Sequence, residues 1–163
     1  MTDQKTTSLI SRLDLGEGAR RFGSDAGLLV LRVAVGIVFI AHGWGDATQP
    51  GDAGANVENY RGAGIPLPEV TAYFGAYMQL LGGVALLVGV VTRLVALGLA
   101  AVMAGALIWV HPGEPIVLAQ DGSGSGFAFI MFSASLALIG TGAGRWSVDG
   151  ALASRYLGGR ATG

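Results

Sequence analysis

The sequence predicts an all-α polytopic membrane protein, a bundle of four antiparallel transmembrane helices. Three observations predict it. Charged residues are only 13% of the 163-residue chain, against about 25% in soluble proteins. Hydrophobic residues reach 52%. The apolar residues gather into four stretches, Ala26–Trp44, Val70–Val91, Leu94–Val110 and Gly126–Gly142, of 19, 22, 17 and 17 residues. A helix needs about 17–25 apolar residues to cross the hydrocarbon core at 1.5 Å per residue. A buried soluble four-helix core would show polar helix faces, and these stretches are apolar all round.

The elements follow in order. Residues 1–25 are a polar segment with Lys5, Arg12, Arg20 and Arg21, not the layout of a cleaved signal peptide. The first helix is therefore expected to be a retained anchor. The membrane domain spans residues 26–149, and 150–163 form a short tail. Residues 45–69 join helices one and two through "GDATQPGDAGAN" and "VENYRGAGIPLPEV". The second piece suits a short interfacial helix ended by its Gly and Pro residues. Only Thr92-Arg93 separates helices two and three, so they form an antiparallel hairpin. Helices three and four are joined by "HPGEPIVLAQDGSGSG".

Charge sets the expected orientation. With four crossings, both termini and the Thr92-Arg93 turn share one side. That side holds Lys5, Arg12, Arg20, Arg21, Arg93, Arg145, Arg155 and Arg160, and the other holds Arg61. The excess predicts cytoplasmic termini in a plasma membrane. Net charge is −1, which gives no reason to expect nucleic acid as a partner.

Small residues recur every seven positions: Gly36 and Gly43; Gly75, Gly82 and Gly89; Gly98 and Gly105; Gly126, Ser133 and Gly140. Seven residues is nearly two turns, so each set makes one stripe. Such stripes let backbones approach where lipid supplies no hydrophobic drive between helices.

The chain has no cysteine, which removes disulfides, thiolate nucleophiles and zinc–thiolate sites. No nucleotide-binding or hydrolase motif appears. The informative polar residues lie inside or at the ends of the apolar stretches. Arg32 stands within helix one, where an isolated charge costs at least about 2.5–3.5 kcal/mol. It either snorkels to the inner surface or faces a polar partner or ligand in the bundle. Gln79 shares a face with Gly75 and Gly82, as interhelical glue or as part of a site. His42 and His111 end helices one and three on the outer side, near Trp44, Trp109, Tyr73 and Tyr77. Aromatics there fit an interfacial belt, and the histidines can simply face water. A metal site with Glu114 or Asp46 has no supporting spacing, so none is expected. The other reading is a quinone-head site, in which histidine supplies a donor and a proton. Its candidate residues are Arg32, His42, Tyr73, Tyr77, Gln79, Trp109 and His111.

The quoted pieces "LRVAVGIVFIAHGWG", "GIPLP", "QLLGGVALLVGVVTRLVAL", "MAGALIWVHPG" and "TGAGRWSVD" occur in this order between Leu28 and Asp149. In them the chain resembles the DoxX family of small bacterial membrane proteins. The resemblance implies a four-helix membrane protein in a redox setting, since relatives include the membrane subunit of thiosulfate:quinone oxidoreductase. It implies a non-covalently held quinone and a membrane or soluble redox partner. A homo-oligomer through leftover glycine stripes is a further expectation, and a scaffold without chemistry is the alternative function. The polar positions carried over are Arg32, His42, His111, Arg145 and Asp149. Two positions depart from the family pattern: Gln79, where members commonly have Glu, and Asp46, where they tend to have Lys. A Glu at position 79 reads as a counter-ion for Arg32. "GRWSVD" reads as structural, with Asp149 capping a short helix that follows.

Overall fold

The computed structural model describes residues 17–48, 55–117 and 124–158. Lys5, Arg12, Asp52, Asp121 and Arg160, with most of the two loop tips, lie outside them. Within the described residues all regular structure is helical: α1 (Glu17–Thr48), α2 (Ala55–Gly62), α3 (Pro68–Val88), α4 (Thr92–Gly105) continued by a π turn (Ala106–Val110), α5 (Gly126–Thr141) and α6 (Val148–Gly158). Three are long and apolar enough to cross a membrane: α1, α3, and α4 with its π turn. The apolar helix α5 has 16 residues, about 24 Å of rise, and is shorter than a standard crossing.

The observed bounds differ most from the predicted spans at two places. Helix α1 begins inside the polar segment and runs unbroken past Ala26. The hairpin turn is Gly89–Val91, and Thr92-Arg93 already belongs to α4. Val91 takes a left-handed conformation there, φ 48°. The turn lies earlier because Gly89 adopts φ 72° and its N–H closes on the carbonyls of Ala85 and Leu86. A glycine in this conformation is the usual helix stop.

Helix α3 sits between α1 and α4. Its glycines let both neighbours in. A Cβ on Gly43 would stand 2.3 Å from the Leu80 nitrogen, and one on Gly36 2.9 Å from the Gly83 carbonyl oxygen. On the other face the Met78 thioether lies between Gly82 and Gly98, 2.8–2.9 Å from a Cβ on either. The core is Val35 and Phe39 of α1, Leu86 of α3, Leu99 and Met103 of α4, and Met131 and Leu138 of α5.

The seven-residue stripes hold for α1 and where α3 meets α4, and fail elsewhere. Gly75 packs on the Tyr60 hydroxyl of α2, Gly89 stops α3, and Gly105 meets only the Trp109 ring. Ser133 and Gly140 are exposed; α5 instead buries Ala128, Met131, Ser135 and Leu138. In a helix apolar on every side, residue spacing cannot choose which face turns inward. Size complementarity with neighbours chooses it.

Two ends of the bundle carry the polar residues. One joins the first half of α1, the α3–α4 turn and the α5–α6 junction. The other joins the end of α1, α2, the start of α3, the π turn and the start of α5.

Candidate functional site

Arg32 is fully buried at the first of these ends. Its Nη2 donates to the Trp146 carbonyl at 2.6 Å and its Nη1 to the Leu86 carbonyl at 3.3 Å. Leu86 lies in the last turn of α3, where carbonyls lack helical partners and the helix dipole favours a cation. Arg32 thus neither snorkels nor enters a cavity. It ties α1 to the end of α3 and to the segment after α5. Gly89 leaves the room, since a Cβ there would stand 2.0 Å from Nη1.

The acid that acts on Arg32 is Asp149. The predicted link to position 79 does not form, because Gln79 is seven residues, about 10 Å, before Leu86 along α3. Asp149 accepts the Val91 and Thr92 backbone N–H groups at 2.8 and 2.9 Å, and its own N–H donates to the Gly89 carbonyl at 2.9 Å. It caps α4, across the bundle, rather than its own helix. That helix, α6, is capped by Ser147, whose Oγ accepts the Gly150 N–H at 3.0 Å. Burial pushes the Asp149 carboxyl up, but the Thr92 and Val91 hydrogen bonds and the Arg32 charge outweigh it and hold the group below its ordinary range. Nearby, Asp25 of α1 accepts the Arg145 N–H at 3.0 Å, and Phe22 meets Trp146 edge-on at 5.2 Å. "GRWSVD" is therefore a strap that locks α1, α3 and α4 together.

The second end holds a cavity of about 330 Å³ between α2, α3 and the π turn. Tyr60, Phe74, Gln79, Met103 and Trp109 line it, with Ile65 and Pro66 of the α2–α3 turn. Its wall is mostly apolar. Phe74 and Trp109 are part exposed, so the cavity reaches the outside of the bundle. The π turn shapes it: the His111 N–H bonds the Ala106 carbonyl five residues back at 2.9 Å, which resets the helix phase around Trp109. Such turns recur at functional sites. Arg61 bonds Glu58 and, at 2.6 Å, Glu69, which pins α2 over the start of α3. Burial and, after it, the charge of Asp46 hold the Tyr60 phenol above its usual range, so Tyr60 keeps its proton.

Of the seven residues predicted as a ligand site, the structure brings Gln79 and Trp109 to this cavity. Arg32 is at the other end, ten residues or about 15 Å before His42 along α1. His42 is exposed; its Nδ1 donates to the Val38 carbonyl at 3.1 Å and its ring stacks on Phe127. His111 lies 2.8 Å from Glu114, which also accepts the Gly124 N–H at 2.8 Å, so this pair closes the α4–α5 loop. Tyr73 and Tyr77 are exposed on the outside of α3. Among the described residues no three His, Asp or Glu side chains stand together as metal ligands. Tyr60 was missed. The signal for it was Gly75, whose missing side chain leaves space for the Tyr60 hydroxyl.

No curated protein and no solved structure matches the chain. The family model DoxX matches residues 27–112, from α1 through the π turn, which is more than half of the sequence and includes Arg32 and most of the cavity wall. The chain is a multi-pass membrane protein with apolar helices, and it belongs to the DoxX family.

Proposed function

We propose that the protein is a quinone-binding membrane subunit of a bacterial redox complex, with the ring held in the cavity beside Gln79. The observation that carries this reading is the cavity itself: an apolar slot at the bundle surface, with a buried amide and a phenol in its wall. Ligand sites have this character, mostly apolar with a few placed polar groups. The chain has no redox group of its own among its side chains, so electrons would pass to or from a partner protein.

The accompanying topology has four crossings and both termini in the cytoplasm. The arginine distribution supports it, and a locally thinned bilayer accommodates α5. A non-catalytic scaffold is the second reading. It is favoured by Arg32, whose charge meets backbone carbonyls rather than a ligand.

The test is mass spectrometry of small molecules extracted from the protein purified from native membranes, beside a Trp109→Ala, Tyr60→Phe variant. The expected result is near-stoichiometric quinone that falls in the variant. Equal quinone in both, or none in either, removes the cavity site and leaves the scaffold.

A further inference from the structure

The polar atoms of a cavity specify what its ligand must carry. A Gln side chain has one carbonyl oxygen and an NH2 group with two hydrogens. Gln79 Nε2 lies 3.2 Å from the Gly75 carbonyl oxygen and 3.5 Å from a carboxylate oxygen of Asp46. Both neighbours can only accept. The reversed amide would set Oε1 against a carbonyl and a carboxylate, so local charge fixes the orientation. Both amide hydrogens are directed at the protein. Gln79 Oε1 receives no hydrogen bond among the described residues, and the residue is 5% exposed in the cavity wall.

We infer that the cavity selects the reduced, hydroxyl-bearing form of its ring ligand, a quinol, over the oxidised quinone. This rests on the quinone-site reading above and sharpens it. A quinol hydroxyl gives Oε1 the hydrogen it lacks, and its oxygen can still accept from Tyr60. A quinone carbonyl can accept from Tyr60 too, but it meets Oε1 as a second acceptor, and the two repel. The pair of residues that sets the preference is Gln79, which reads the ligand, and Asp46, which orients Gln79.

Equilibrium dialysis of the purified full chain under argon tests this. The probes are a short-tailed benzoquinol and the matching benzoquinone, with empty micelles as the partition control. The expected result is about tenfold tighter binding of the quinol, the size of one buried hydrogen bond gained against one acceptor left facing another. Gln79→Leu should abolish the preference, by weakening benzoquinol binding and removing the acceptor that opposes the benzoquinone carbonyl. Asp46→Asn, which no longer forces the amide one way round, should narrow the preference without loss of folding. Equal or tighter benzoquinone binding overturns the inference and leaves the cavity as a quinone site. Saturable binding of neither probe overturns the site itself. A tenfold preference that persists in both folded variants overturns the role of Gln79.

Discussion

The two ends of the bundle use polar groups in opposite ways. At the strap end, Arg32 and Asp149 turn their charges onto backbone groups of neighbouring helices. At the cavity end, among the described residues, Gln79 turns only its NH2 onto the protein and keeps its oxygen free. A buried charge directed at carbonyls and N–H groups holds helices together. A buried amide with an open acceptor is available to a ligand. The difference teaches that a polar residue in an apolar helix is not by itself a site; the disposition of its individual atoms decides.

The largest effect should come from breaking the strap. Arg32→Ala removes the guanidinium donor from the Trp146 carbonyl, leaves the Leu86 carbonyl only the Gly89 N–H, and leaves Asp149 without its cation. Gly89→Ala forces a Cβ into the guanidinium in a left-handed conformation. Each should cost about 3–5 kcal/mol, read as lost thermal stability in detergent. Ligand retention by the fraction that still folds should be intact; parallel loss of both would dissolve the distinction between the ends.

Asp149→Asn comes next. The folded carboxyl sits below its unfolded value, so its stabilisation is present above about pH 4 and disappears as pH falls through the folded pKa. The native protein should therefore lose melting temperature on acidification. The Asn variant should start about 1 kcal/mol lower, the usual size of a lost cap, and show a flatter acid limb. An unchanged limb would mean that other carboxylates set the acid response.

The smallest effects sharpen the packing contrast. Gly140→Ala and Ser133→Ala change positions that face outward, and surface changes of this kind stay within about 0.5 kcal/mol. Gly43→Ala, with its Cβ 2.3 Å from backbone, should separate α1 from α3 and lower the melting temperature clearly.

Much of this was legible in advance. The apolar stretches located α3, α4 with its π turn, and α5 to within a few residues but missed the start of α1 by nine, and "VENYRG" announced the short helix α2. Gly36, Gly43, Gly82 and Gly98 were identified as contact points. The candidate site was only half legible. Gln79 and Trp109 share a cavity, whereas Arg32 and the two histidines do not join them. Residues at similar depths in a membrane need not face the same space, and a linear sequence encodes depth far better than azimuth around the helix.

By itself the sequence determined helical content, apolar length and the placement of charges at helix ends, because these follow from local composition and a 1.5 Å rise. The tertiary structure decided which carbonyls Arg32 meets, that Asp149 caps a distant helix, and which way round the Gln79 amide sits. Those outcomes depend on which faces pack together. In helices apolar on all sides, only the fit of side chains across the bundle settles that.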